Sequence, residues 1–119
     1  MKKKILVIDD DEGIVTAISI ILDTYGYSID ATTKGEEVGM RVSDFQPDLI
    51  LLDVFLAGYD GRDICKKLKA DNATKRIPII MISAHPSAKA HSRLSGADDF
   101  LPKPFEIDQL ISLITKNLV

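Results

Sequence analysis

The sequence holds no tryptophan, a single cysteine and only 6% aromatic residues among its 119 positions. One cysteine, Cys65, excludes an internal disulfide and fits a reducing compartment, so the expected location is cytoplasmic. Basic residues do not predominate. The formal charge is −3, which lacks the footprint of a nucleic-acid binder. Long apolar runs are missing too. Too few apolar residues follow Met1-Lys2-Lys3-Lys4 for a signal peptide or a membrane span, so no membrane partner is expected. The chain has no internal repeat, low-complexity tract or linker. What remains is an ordinary globular balance, 45% apolar and 28% charged, in one domain over residues 1–119.

The feature that stands out is an apolar strand that runs into acid. Lys4-Ile5-Leu6-Val7-Ile8 is followed at once by Asp9-Asp10-Asp11-Glu12. Crowded carboxylates repel one another and raise one another's pKa unless positive charge sits among them. A hard divalent cation with oxygen ligands resolves this. Three further apolar runs each deliver one polar group at the C-terminal end. Asp48–Leu52 delivers Asp53, Ile77–Ile82 delivers Ser83, and Asp99–Leu101 is followed by Pro102 and Lys103. In open parallel sheets, sites form outside the carboxyl ends of the strands. Parallel neighbours would therefore bring Asp9, Asp10, Asp53, Ser83 and Lys103 to one crevice.

The alternation of β and α patterns supports that arrangement. Strands are expected at Lys4–Ile8, Tyr27–Ala31, Asp48–Leu52, from Pro78 to Ser83, and at Asp99–Leu101. Helices are expected near Gly13–Tyr25, Lys34–Phe45, Arg62–Ala70, Pro86–Leu94 and Glu106–Asn117. Thr33 with Glu36 reads as a capping box for the second helix. Pro86 reads as a first-turn proline of the fourth. Ile107, Leu110, Ile111 and Ile114 read as the buried face of the fifth. The third and fourth strands are nearly continuous apolar runs, the mark of strands covered on both faces. The expectation is a doubly wound α/β domain. Its five-stranded parallel sheet has order 2-1-3-4-5, with five flanking helices and a switch point between strands one and three.

Four segments carry a resemblance: ILVIDDDEGI (5–14), PDLILLDVFLAGYDG (47–61), IPIIMISA (77–84) and GADDFLPKPF (96–105). In this order, each at the end of its own strand, they resemble the receiver domain of two-component response regulators. This is the CheY-like family, with a flavodoxin-like fold. The resemblance covers essentially the whole chain. It implies that Asp53 accepts a phosphoryl group from a phosphohistidine on a sensor histidine kinase or phosphotransfer protein. It implies that Asp10 binds Mg²⁺ directly and Asp9 through water, with Asp53 and the backbone carbonyl of Phe55 as further ligands. Mn²⁺ is an acceptable substitute. Lys103 and Ser83 match the lysine and hydroxyl that meet phosphoryl oxygens, and Phe100 the aromatic that changes rotamer on activation. The output surface is formed by the fourth helix, fifth strand and fifth helix, which meets a downstream effector or a second copy as a homodimer. The chain is then a switch rather than an enzyme with a separate substrate. It catalyses only its own phosphorylation and dephosphorylation.

Taken singly, each residue has a plainer reading: Asp53 a helix cap, Ser83 a turn hydroxyl, Lys103 a solvated lysine, Phe100 core, Cys65 a packing residue. His85 and His91 read as surface residues, not zinc ligands. The conjunction is what carries the functional reading. The sequence departs from the family at Ala57, where proline is usual, and Ala57-Gly58 leaves a loop expected to be mobile. Phe55 and His85, two residues beyond Asp53 and Ser83, border the path of hydrolytic water and are candidates for tuning the lifetime of the acyl phosphate. Three competing readings stand beside the switch. A haloacid-dehalogenase-type phosphatase would need a DxD motif after the first strand. A flavin binder would need a hydroxyl- and glycine-rich phosphate loop there. A phosphorylation-independent interaction module on the same fold would not need the complete site.

Overall fold

The computed structural model describes residues 2–85 and 87–118. Strands β1 (Lys4–Ile8), β2 (Ser28–Thr32), β3 (Leu49–Asp53), β4 (Ile79–Ser83) and β5 (Asp99–Pro102) form one sheet. Its order is β2-β1-β3-β4-β5 and every pairing is parallel, as the β–α alternation predicts. Helices α1 (Glu12–Thr24), α2 (Val38–Phe45), α3 (Gly61–Ala70), α4 (Ala88–Leu94) and α5 (Ile107–Asn117) cover it. Each central strand divides its side chains between two cores by simple alternation. Leu6, Ile8, Ile50, Leu52, Ile79 and Met81 pack with residues of α2, α3 and α4. Ile5, Val7, Leu49, Leu51, Ile80 and Ile82 pack with Ile18 and Leu22 of α1 and with Leu110 and Ile114 of α5. Every residue of β3 and β4 is buried, which explains their unbroken apolar sequence.

The acidic run after β1 is divided among distinct tasks. Asp9 is buried. Asp11 caps α1, its Oδ1 accepting from the Gly13 and Ile14 N–H groups at 2.8 and 3.2 Å. Glu12 opens the helix, where its charge suits the dipole. Asp60 caps α3 by accepting from the Arg62 N–H at 2.9 Å. Gly61 lies so close beneath the end of β3 that a Cβ there would press into the Asp53 carbonyl oxygen.

Several local expectations are corrected. The Thr33–Glu36 capping box does not form. The Thr32 hydroxyl, one residue earlier, accepts from the Lys34 N–H at 3.1 Å and donates to Glu37 at 2.8 Å. A 3₁₀ turn over Gly35–Glu37 then precedes α2, and Gly35 lies directly beneath the Tyr59 ring. The second strand runs one residue later than expected, because its pairing with β1 extends to Thr32. Ile107 is half-exposed at the mouth of an apolar groove instead of fully inward. The Ala57-Gly58 segment, read as a loop, is the turn of a short hairpin pairing Phe55–Leu56 with Tyr59–Asp60. Gly58 supplies φ +74°, the value a type II turn needs at its third position. Pro86 lies outside the described residues. Among the described residues no helix is long and apolar enough to cross a membrane.

Candidate functional site: an acidic crevice at the strand ends

Parallel register carries Asp9, Asp53, Ser83 and Lys103 to the same edge of the sheet. Asp53 is the last residue of β3, beside β1 on one side and β4 on the other. Ser83 ends β4. Lys103 follows β5 and is held by its N–H on the Ser83 carbonyl oxygen at 3.0 Å. Its side chain reaches back across β4. The ammonium lies 2.8 Å from Asp9 Oδ2 and 3.7 Å from Asp53 Oδ2. Residues 94 apart in sequence are thereby paired. The Lys103–Pro104 peptide bond is cis.

The electrostatics follow from burial. Asp9 and Asp53 are 2% and 6% exposed, whereas Asp10 is open to solvent. Asp9 Oδ1 accepts from the Asp11 N–H at 3.0 Å, so both of its oxygens are engaged. Asp53 is less well compensated. Burial and then the charge of Asp9 push its carboxyl up to about 6, against the pull of Lys103 and of the Phe55 N–H. Burial alone would lower the pKa of Lys103, but its hydrogen bond to Asp9 and the surrounding acids raise it above 10.5. The lysine therefore stays charged at neutral pH.

The residues fit a hard cation. Asp9, Asp10 and Asp53 each offer a carboxylate oxygen, and these oxygens lie within 4.8 Å of one another. An all-oxygen set suits Mg²⁺ or Mn²⁺ and not a thiolate-seeking metal. The penalty on ionised Asp53 is the charge imbalance that a cation relieves.

The remaining expected residues fall around this centre. Ser83 is buried and its Oγ accepts from the His85 N–H at 3.0 Å. Phe100 pairs with Met81 across β4 and β5 and packs on the core beneath α4. It lines a cavity of 180 Å³ with Ser92 and Ala97. Phe55 and His85 meet edge to face with ring centroids 5.5 Å apart. Cys65 is fully buried, and burial pushes its thiol up, as a packing role requires. The sequence reading missed Arg62. Its guanidinium lies over the Phe55 ring and bridges Asp60 to His91. An arginine in the first turn of a helix carries no sequence signal that separates it from a solvated one.

A family model described as the response regulator receiver domain matches residues 5–115. The chain belongs to the response regulator receiver family. Receivers are modules of two-component systems, and they generally bind Mg²⁺. Among curated relatives, the phosphate regulon transcriptional regulatory protein PhoB of Rhizobium meliloti is 33% identical over 120 residues. The match covers 99% of this receiver and 53% of PhoB. This receiver spans about half the length of such relatives. Among solved structures, the signal receiver domain of a response regulator from Bermanella marisrubri superposes with a TM-score of 0.92. It is 30% identical, with 100% of both chains covered. Chemotaxis protein CheY4 of Vibrio cholerae has the same TM-score at 26% identity, covering 99% of this receiver and 100% of its own chain.

Proposed function

We propose that this receiver is a phosphorylation switch in which Asp53 takes a phosphoryl group from a phosphohistidine on a sensor kinase or phosphotransfer protein. The observation that carries this reading is the position of the Asp53 carboxylate. It lies between two further acids and one lysine, at the mouth of the sheet. In the transfer, an Asp53 oxygen forms the new bond to phosphorus as the P–N bond of the donor breaks. The electron pair of that bond leaves on the donor imidazole. Mg²⁺, held by Asp10, Asp53, the Phe55 carbonyl and, through water, Asp9, would supply the positive charge that offsets repulsion between carboxylate and phosphoryl oxygens. Asp53 presents the nucleophile from a rigid strand end, so positioning is provided by the fold. Lys103 is already charged and within reach, and turns from Asp9 to a phosphoryl oxygen. Ser83 accepts from His85 in the unmodified protein, which leaves its own proton to offer a phosphoryl oxygen.

Output follows from that last contact. Ser83, Met81 and Phe100 face the same layer of the sheet, beneath α4. As Ser83 turns toward the phosphoryl group, Phe100 shifts into the space under α4. The α4–β5–α5 face then changes its affinity for an effector or a second copy. The protein acts on no separate substrate and promotes only its own phosphorylation and dephosphorylation.

The test is incubation with Mg²⁺ and acetyl phosphate followed by intact mass measurement. Gain of one phosphoryl group, lost in Asp53→Asn and on chelation of Mg²⁺, is the expected result. A gain that survives Asp53→Asn would place the chemistry elsewhere, and no gain at all would favour a phosphorylation-independent module.

A further inference from the structure

Phe55, His85, Arg62 and Asp60 form one linked group beside the acidic crevice. Phe55 and His85 each stand two residues past a strand end, one beyond Asp53 and the other beyond Ser83. Because β3 and β4 are neighbours, the two rings meet, 65° apart in plane. His85 is fixed from behind. Its Nδ1 accepts from the Ser87 N–H at 3.2 Å and faces the Ser87 Oγ at 2.8 Å. Phe55 is fixed from the other side. The Arg62 guanidinium lies 5.6 Å from its ring centroid, in cation–π range. Arg62 itself has little freedom. Its Nε and Nη2 grip both oxygens of Asp60 at 2.6 to 3.1 Å, and its Nη1 meets His91 Nδ1 of α4 at 3.0 Å.

We propose that Arg62 is a positioning residue that holds Phe55 against His85 as a cover beside the phosphoacceptor. The proposal rests on the reading of Asp53 as that acceptor. Phosphorylated Asp53 is lost when a water oxygen bonds to phosphorus and the bond from phosphorus to the Asp53 oxygen breaks. The electron pair returns to the carboxylate, and the water's protons go to the released phosphate and solvent. The attacking water approaches opposite the Asp53 oxygen. Two rings that meet two residues past Asp53 and Ser83 would narrow that approach. Phe55 is 44% exposed, so its packing is incomplete on the solvent side. The guanidinium, anchored at three of its nitrogens, supplies the rigidity the ring lacks. The backbone cap of α3 is independent of it, since Asp60 Oδ1 accepts from the Arg62 N–H whatever the side chain.

The experiment is decay of the acetyl-phosphate-loaded protein after reagent removal, followed by intact mass. Losing a cation–π contact of ordinary strength shortens the lifetime of Arg62→Ala by about two- to five-fold. Arg62→Lys, which returns a cation to the ring, recovers part of it. Phe55→Asn shortens the lifetime at least as much. The double variant Arg62→Ala/Phe55→Asn decays no faster than Phe55→Asn alone, because Arg62 acts through the ring. An unchanged lifetime in Arg62→Ala overturns the proposal, as do effects of the two substitutions that multiply. If the unaltered protein takes up no phosphoryl group, the reading of Asp53 fails separately. The cover is then judged by amide hydrogen exchange. Faster exchange over residues 55–60 in Arg62→Ala, with residues 64–70 unchanged, supports it, and equal exchange over 55–60 overturns it.

Discussion

Replacing the proposed phosphoacceptor by its neutral isostere should make the metal-free protein more stable. Asp53 is held at a pKa of about 6 in the folded chain, against an ordinary 3.8. Burial is the first cause and the Asp9 charge the second. The folded state therefore keeps a proton over a pH range in which the unfolded chain has released it. Stability falls as pH rises through that window, from about 4 to 6, and the loss is complete above it. At 1.36 kcal/mol per tenfold change in proton affinity, the whole penalty is roughly 3 kcal/mol. Water at the crevice mouth screens part of this charge and reduces it to about 1–2 kcal/mol. An asparagine side chain in its place would keep the shape of the neutral acid and carry no charge, and Lys103 would retain its closer partner Asp9. Asp53→Asn should thus gain about 1–2 kcal/mol in urea denaturation at pH 7.5 with chelator, and only a few tenths at pH 4. Added Mg²⁺ should shrink the difference, because only the unsubstituted protein has the full set of acidic oxygens to bind it. An Asp53→Asn variant no more stable at pH 7.5, or equally stabilised at both pH values, would refute the charge argument.

Other perturbations follow from the same geometry. Lys103→Met leaves Asp9 buried without its cation, so urea denaturation at pH 7.5 should show a loss of about 2–4 kcal/mol, partly restored by Mg²⁺. Because the Lys103 pKa is raised, that contribution is fully present below pH 10.5 and is lost only above it. Gly61→Ala forces helix α3 away from the Asp53 carbonyl and should cost about 2–3 kcal/mol by thermal or urea unfolding. Ala57→Pro, at the second position of the hairpin turn, should stabilise the fold by about 0.5–1 kcal/mol through the unfolded state. In the unsubstituted chain, hydrogen exchange over 55–60 should be faster than in α3.

The sheet order and the meeting of Asp9, Asp10, Asp53, Ser83 and Lys103 were legible because each depends on a strand end. An apolar run announces its own termination, and parallel topology then dictates which ends are neighbours. What escaped depends on side chains that choose among nearby partners. Thr33 is a plausible cap by type, but the local hydrogen bonds are made by Thr32, the last residue in register with β1. Ala57-Gly58 looked like free loop because two-residue strands have no periodicity to detect. Arg62 was invisible because its contacts with Phe55 and His91 depend on a hairpin and on the placement of α4, neither of which the sequence pattern reveals. Ile107 fits the helical period of α5, but its face looks past the core toward Pro104 and Phe105.

The division of the acidic run leaves one carboxylate of the site poorly compensated. Asp11 and Glu12 stabilise α1, and the charge of Asp9 is met by Lys103 and the Asp11 N–H. Asp53 alone is left with a charge that its surroundings disfavour. A phosphoryl group adds more negative charge at that same point. The neighbours rearrange to accept it in the proposed switch. Lys103 would move within the crevice. Ser83 would move at the end of a buried strand whose same-face residues lead to Phe100 and the cavity under α4. In the proposed switch, a local charge imbalance is thus converted into a packing change by Ser83, a hydrogen-bond donor that belongs to both regions. A bias of roughly 1–3 kcal/mol from that donor is enough to alter partner affinity about 5–150-fold. Ser83→Ala keeps the strand and Asp53 intact, so it should still load with acetyl phosphate. It should also lose most of the phosphorylation-dependent change in hydrogen exchange across α4. Full transmission to α4 in that variant would show that the signal leaves the crevice by another route.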